Sequence, residues 1–508
     1  MKKSRLFIFL IAVCLIAFGL TAVVYAENVN ALKGDANGDG VLDGKDAVLM
    51  RQYLANLDYD TGISSVEINA AADMNSDGTV CLKDVLLLRE YLVNNDNGDD
   101  DIPEIRYSEG LEFTPNLDKT CYVSSMGSCT DTVVVIPPVS PDGDRVTGIG
   151  NFAFYRCVDI TEVIIPDSVT CIDNAAFSAC SSLASIVIPA SVTKIYNTAF
   201  STCASLECII VDDNNECYQS INGNLYDKDG KTLIQYAVGK TDISFVVPDS
   251  VTKINDQAFC GCLNLTNVVI GNNVTKLGAS LFSGCSALKS VTIGSGVTTI
   301  SEYAFNNCTS LTDVIMSDNV TTIDAYAFNK CASLVGINIP DSVTTITHHA
   351  FSYCSSLTNV TIPDSVTSIG SFAFYYCTSL KSIIIPDGVT NIWNDTFSGC
   401  SSLASVTIGN GVTVVGKNAF QNCKSLKNVT IGDNVTEIGN YAFYYCYPLA
   451  SIIIPDSVTS IGYSAFDYCS SLQTVYYTGS EEDWTAISIG GNNSKLTNAT
   501  IIYNYVFE

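Results

Sequence analysis

Two short stretches of this chain hold oxygen donors at a fixed spacing. Residues 35–46 read DANGDGVLDGKD and residues 73–84 read DMNSDGTVCLKD, so each is an Asp-x-Asn-x-Asp-Gly loop closed by Asp at its twelfth position. A hard divalent cation of calcium's size collects roughly six to eight oxygens: side chains at loop positions one, three and five converge on it, position seven offers a carbonyl, and glycine at six permits the sharp turn. The spacing therefore predicts two bound Ca2+ ions. Asp35, Asn37, Asp39, the Val41 carbonyl and Asp46 form the first ligand set, with Asp43 at position nine adding a direct or water-mediated contact. Asp73, Asn75, Asp77, the Thr79 carbonyl and Asp84 form the second, where Cys81 at position nine is no ligand for so hard an ion.

Each loop leads into a segment of helical apolar spacing, Ala47, Met50, Tyr53 and Leu54 after the first and Val85, Leu88, Tyr91 and Leu92 after the second. On these residues the stretch from Lys33 to Asn95 resembles a dockerin, the calcium-ordered module that plugs secreted proteins into cohesin domains of cellulosome scaffolds in anaerobic bacteria. The resemblance implies that a cohesin is contacted through loop positions ten and eleven and through helix positions beyond them. Here these are Gly44 and Lys45 with Arg51 and Gln52, and Leu82 and Lys83 with Arg89 and Glu90. The Ser-Thr pair familiar at ten and eleven is absent from both copies, and Gly-Lys differs from Leu-Lys, so the two faces are not interchangeable. Read without the family pattern, Arg51 and Arg89 are ordinary solvated helix positions.

The rest of the chain has a different rhythm. Phe154, Phe177 and Phe200, then Phe259 and every twenty-third residue to Phe466, are each followed three residues later by cysteine, Cys157 through Cys469. In residues 357–377, LTNVTIPDSVTSIGSFAFYYC, Leu357, Val360 and Ile362 alternate as a strand does, and Val366, Ile369 and Phe374 continue the inward set. A unit this short cannot bury its apolar face alone, but stacked copies build a continuous core. At roughly 4.8 Å per stacked strand the array is on the order of 60 Å long. The predicted fold is mainly β, a leucine-rich-repeat solenoid with 23-residue turns, preceded by a small α-helical dockerin with two calcium loops. The expected divisions are a signal peptide at 1–26, the dockerin at 27–95, an acidic linker at 96–106, an N-terminal cap at 107–150, repeats over 151–477 and a C-terminal cap at 478–508. One long repeat, 201–258, carries a hairpin around Asp229-Gly230. The order Cys, Leu, strand, Pro, Val, Ile, Ala-Phe, Cys in residues 354–377 resembles BspA-like leucine-rich repeats, a surface and secreted class. Gly271, Gly294, Gly409 and Gly432 replace the proline, and Leu281 and Thr396 replace the alanine.

A net charge of -27 and a pI near 4.2 set the chain against nucleic acid and anionic lipid, whose phosphates it would repel. Lys2, Lys3 and Arg5 precede an apolar run from Leu6 to Val24, and Val24-Tyr25-Ala26 reads as a cleavage site, so export is expected and no membrane contact after cleavage. An uncleaved anchor is the alternative, because about 20 apolar residues span a bilayer. The 21 cysteines of an exported chain would ordinarily suggest disulfides. The inward register of Cys157 through Cys469 predicts buried free thiols instead, with Cys121–Cys129 and Cys208–Cys217 open as local bridges.

Catalysis finds little support. Outward strand positions are mostly Ser, Thr, Asn, Lys or aliphatic, no carboxylates converge as glycoside hydrolysis requires, and His348 and His349 sit together as an exposed loop pair, too isolated for a triad. The expectation is a secreted, extracellular, non-catalytic protein held on a cohesin-bearing scaffold and presenting its repeats to a protein or glycan. The rivals are a free adhesin whose calcium module stabilises its N-terminus, and a polysaccharide-degrading enzyme. Two sets of outward residues are candidate contact rows: Ile164, Val187, Ile210, Val269, Ile315, Ile384 and Ile453, and the pairs Tyr353/Tyr376 and Tyr445/Tyr468. Strand propensity and edge packing are the plain explanations for the same residues.

Overall fold

The structure, a computed structural model, describes residues 107–506. Both calcium loops and all the cohesin-facing positions lie outside the described residues. Each 23-residue repeat forms one turn of a solenoid with three sides. On the first, Ser382–Ile385, Ser405–Ile408 and Asn428–Thr430 pair in parallel, Ser382 opposite Ser405 opposite Asn428. Val406 and Ile408 point inward and are buried while Thr407 is exposed, the alternation that half-buried β-branched residues favour. On the second side two-residue strands stack into a nine-stranded ladder from Thr299–Ile300 to Ser488–Ile489.

The third side runs through each Phe and is built from turns. The N–H groups of Phe372, Phe374 and Tyr376 donate to the carbonyls of Asn394, Thr396 and Ser398 in the next turn, at 3.0, 2.9 and 2.9 Å. Bringing alternate N–H groups to one edge requires left-handed residues two before and two after the Phe, and Phe372 and Tyr376 adopt φ of 59° and 55°. Tyr303 with Asn307, Tyr326 with Lys330 and Tyr441 with Tyr445 do the same. Each such residue costs about 1–2 kcal/mol, which the three bonds to the next turn offset.

Inside, the Phe rings form a fully buried column: Phe351, Phe374 and Phe397 stack at 5.3 Å and within 9° of parallel. Beside it the cysteines supply a donor small enough for a crowded position. The Cys377 thiol donates to the Phe351 carbonyl of the preceding turn at 3.2 Å, Cys400 to Phe374 at 3.2 Å, and the pattern holds at Cys180, Cys203 and from Cys285 to Cys469. All cysteines among the described residues are free thiols, including Cys121, Cys129, Cys208 and Cys217. Burial pushes the Cys354 and Cys400 thiols up to about 12. Cys157, in the first turn, departs from the inward set and is only half-buried.

The long repeat contains a concealed turn. Tyr236 stands 23 residues before Phe259, its ring is buried 5.0 Å from that of Phe259, and its N–H donates to the Ala258 carbonyl as each Phe N–H does elsewhere. The extra chain therefore lies between Phe200 and Tyr236. There Tyr218–Ile221 and Asn224–Asp227 pair antiparallel around Asn222-Gly223, both at positive φ, and Asn224–Asp227 pairs onward with Thr232–Gln235 around Asp229-Gly230. The resulting meander does not stand away from the solenoid, because Leu225, Tyr226 and Leu233 are buried. The apolar interior divides at this point, one cluster ending at Leu225 and the other beginning at Tyr226.

Both ends are covered. Glu112–Pro115 pairs antiparallel with Thr120–Ser125, which continues into the second ladder through Arg145–Ile149. At the far end Ser488–Ile489 and Thr500–Ile502 extend the two strand lines, and between them the Asn493 side chain accepts the Phe466 N–H at 3.0 Å and donates to the Gly462 and Gly490 carbonyls.

Phe374→Ala is expected to cost about 3–5 kcal/mol, read as a fall in the denaturant midpoint; an unchanged midpoint would contradict a close-packed column. Alkylation of the native protein at mildly alkaline pH should mark Cys157, Cys171, Cys217 and Cys260, which are partly exposed, well before Cys354 and Cys400. Peptide mass spectrometry reads the order.

Candidate binding surfaces

The outward row of the first side is continuous in register but not in exposure. Val246, Val269, Thr292 and Ile315 are cross-strand neighbours, as are Ile384, Thr407 and Thr430. Ile315 is 54% and Ile384 67% exposed, whereas Ile164 is buried and Val187, Ile210 and Ile453 are half-buried. Val246 and Val269 form one exposed apolar pair, while Thr292 stands between them and Ile315, and Asn338 and Thr361 stand between Ile315 and Ile384, so the row is a broken series of small apolar patches on a polar sheet. On the second side the threonines turn inward to the backbone: Thr344 Oγ1 donates to the Thr321 carbonyl at 3.3 Å and Thr367 Oγ1 to that of Thr344 at 3.4 Å. These hydroxyls are already used within the fold.

Aromatic side chains concentrate on the third side, at the left-handed positions. Tyr303, Tyr326, His349 and Phe372 stack in consecutive turns with centroids 4.6, 4.5 and 4.6 Å apart and planes within 8°. Phe372 meets Tyr375 edge-on at 5.4 Å, Tyr353 stacks on Tyr376 at 5.5 Å, and the Tyr376 ring lies against Gly399, where an added Cβ would stand 2.7 Å from it. A second group joins Tyr441, Tyr444, Tyr445 and Tyr468, with Tyr445 and Tyr468 at 4.5 Å. Ring faces within these groups are partly taken up by their neighbours in the next turn, which reduces the surface that Tyr353/Tyr376 and Tyr445/Tyr468 offer to a stacking sugar, although Tyr353, Tyr376 and Tyr468 stay exposed. Edges and hydroxyls remain outside, the equipment of protein contacts. Burial, helped by the neighbouring Tyr376 and Tyr353, pushes the Tyr375 hydroxyl up to about 12 and keeps it a neutral donor.

The histidines are not the exposed pair that the sequence suggests. His348 is exposed, but His349 is half-buried between the rings of Tyr326 and Phe372. Burial, and then His348, hold its imidazole below the ordinary value of 6.5. The available signal was the 23-residue recurrence of Tyr303, Tyr326, His349 and Phe372, two positions before each core Phe.

The family model for BspA type leucine-rich repeat regions matches residues 143–228, 236–358 and 344–473, in six copies. The model for the dockerin type I domain matches residues 33–93. No curated protein matches the chain. Among solved structures, a leucine-rich repeat protein from Bacteroides ovatus is 29% identical over 80% of this chain and 100% of its own, with a TM-score of 0.56. A leucine-rich cell surface protein from Faecalibacterium prausnitzii is 26% identical over 77% of this chain and 99% of its own, with a TM-score of 0.38. The first of these shares the solenoid fold.

A depressed His349 means that the unfolded chain takes up the proton first. The contribution of His349 to stability is therefore present above its unfolded value and is lost as pH falls below it. His349→Phe should keep the stack and remove that part of the acid-side loss, read by thermal melts across pH. An NMR titration midpoint for His349 at or above 6.5 would refute the assignment.

Proposed function

The chain belongs to the BspA-type leucine-rich repeat family, and from that premise we propose that it is a secreted, non-catalytic binding protein carried on a cohesin-bearing scaffold. The observation that carries the reading is the pairing of modules in one chain: a type I dockerin at 33–93 followed by a repeat array at 143–473. Dockerins of this type bind calcium. In this reading one ion is held by Asp35, Asn37, Asp39, Val41, Asp43 and Asp46 and a second by Asp73, Asn75, Asp77, Thr79 and Asp84, so that folding of the module is coupled to calcium. Gly44, Lys45, Arg51 and Gln52, or Leu82, Lys83, Arg89 and Glu90, then meet the cohesin. The solenoid supports a binding role by its regularity, because every turn returns the same outward positions and a partner meets an extended surface instead of a closed pocket. Among the described residues no helix is long and apolar enough to cross a membrane.

The full-length chain should be captured by immobilised cohesins in calcium and released by a chelator. Failure with every cohesin type would remove the scaffold from the reading and leave a free adhesin. Asp46→Ala and Asp84→Ala should each lower bound calcium by one ion per chain in native mass spectrometry, and unchanged stoichiometry would refute the ligand sets. Turnover of a plant polysaccharide, abolished by a single carboxylate substitution in the repeats, would replace binding with catalysis.

A further inference from the structure

The second side of the solenoid carries a tryptophan at one register position where several other turns, those of Gly278 and Gly370 among them, carry glycine. Directly after the inward residue of this strand line, three consecutive turns carry Gly416, Gly439 and Gly462, and the turn before them carries Trp393. Trp393 is 49% exposed. From it a groove of about 310 Å³ crosses Gly416 and Gly439, bordered by Asn391, Asn394, Lys417, Glu437 and Asn440. Glycine is required here by close approach: a Cβ on Gly416 would stand 2.6 Å from the Ile392 carbonyl oxygen, and one on Gly439 2.8 Å from the carbonyl carbon of Gly416. The floor is consequently bare backbone, and the indole forms a wall at one end.

The walls are fixed from within. Thr396, which replaces the alanine of other turns, is fully buried and its hydroxyl donates to the Trp393 carbonyl at 2.8 Å. Asn394 Oδ1 accepts the Lys417 N–H at 3.2 Å, and Asn440 Oδ1 accepts the Tyr463 N–H at 2.7 Å. Each amide is thereby oriented, while its Nδ2 meets no acceptor among the described residues. Asn394, Lys417 and Asn440 occupy one row in successive turns, giving three donors at a spacing of roughly 4.8 Å.

We propose that this groove binds a neutral oligosaccharide chain, with Trp393 stacking on one sugar and Asn394, Lys417 and Asn440 donating to the hydroxyls of successive units. An indole with a few placed polar groups in an otherwise bare groove is the chemistry of a small-ligand site. Unlike the tyrosines of the third side, Trp393 is in no ring stack with another aromatic among the described residues. The charges of Lys417 and Glu437 offset each other, and a chain of net charge -27 repels polyanions. An extended peptide adding as a strand finds no free edge, because the local strands Asn391–Ile392, Val414–Val415 and Glu437–Ile438 are paired on both sides. The inference rests on the reading of the repeats as a binding surface and names its ligand class and place.

The test uses the full chain carrying Trp484→Phe, which leaves Trp393 as its one indole. Neutral gluco-, xylo- and manno-oligosaccharides are titrated, followed by tryptophan fluorescence and calorimetry. At least one series should shift the Trp393 emission and bind, Trp393→Ala should weaken that binding by about tenfold or more, and Trp393→Phe should restore part of it. Lys417→Ala and Asn440→Ala should each weaken it less, and Tyr353→Ala, on another side, should leave it unchanged. Binding that survives Trp393→Ala unaltered overturns the site while leaving the solenoid a glycan binder. A folded preparation that still takes up calcium and docks on cohesin, yet binds none of these sugars, overturns the ligand class and leaves the scaffold reading intact.

Discussion

The hydrogen bond from each turn to its successor is the constraint from which the rest of this structure follows. A 23-residue coil has too little interior to satisfy its own backbone, so its N–H and C=O groups must find partners above and below. Stacking in strict register achieves this on all three sides at once. Equivalent residues then lie over one another, Phe on Phe, Thr hydroxyl on Thr carbonyl, cysteine thiol on Phe carbonyl. One departure in length disturbs all three sides, and the meander between Phe200 and Tyr236 shows what absorbs it: antiparallel pairing that closes locally and returns the chain to register at Tyr236.

The spine of the fold was legible because core positions admit few side chains. Phe, Cys, Leu, Val and Ile recur at fixed offsets, and the structure buries the Phe column and every cysteine of the series from Cys180 on, Cys157 alone standing half-buried. What escaped the sequence lies where register is kept but residue type is free. Tyr236 occupies a core position without the cysteine that marks the others, since Gly239 stands there instead. The left-handed positions beside each Phe hold Ala, Thr, Asn, Lys, Tyr or His as readily as Gly, so composition gave no warning of a backbone conformation that glycine usually announces. The setting of His349 is hidden in the sequence for that reason, its neighbours in space being 23 residues away on either side. Trp393 makes no pattern in the sequence as a single residue; the bare glycine floor beside it is what defines a groove.

The dockerin match and the repeat array occupy separate stretches of the chain. The two Asp- and Asn-rich loops precede the array, and the array offers aromatic and polar side chains on scaffold positions that its interior leaves free. Threonine, by turning its hydroxyl to the backbone, makes much of the second side chemically quiet. That silence makes the turns around Trp393 stand out, where Thr396 and two oriented asparagines serve a surface residue.

The third side has one further consequence. Its inter-turn bonds all run the same way, N–H toward the C-terminal end, so the stack is directional and its last turn is left with donors exposed. Asn493 takes one of them, from Phe466, and the Gly491 carbonyl and the Asp467 side chain take those of Ser464 and Tyr468. Without these stoppers the donor end of one molecule would suit the acceptor end of another, and a translational repeat has no symmetry to close such a contact into a finite assembly. Asn493, Gly491 and Asp467 thus leave the last turn's Phe466, Ser464 and Tyr468 donors paired within the molecule and not on offer to another copy.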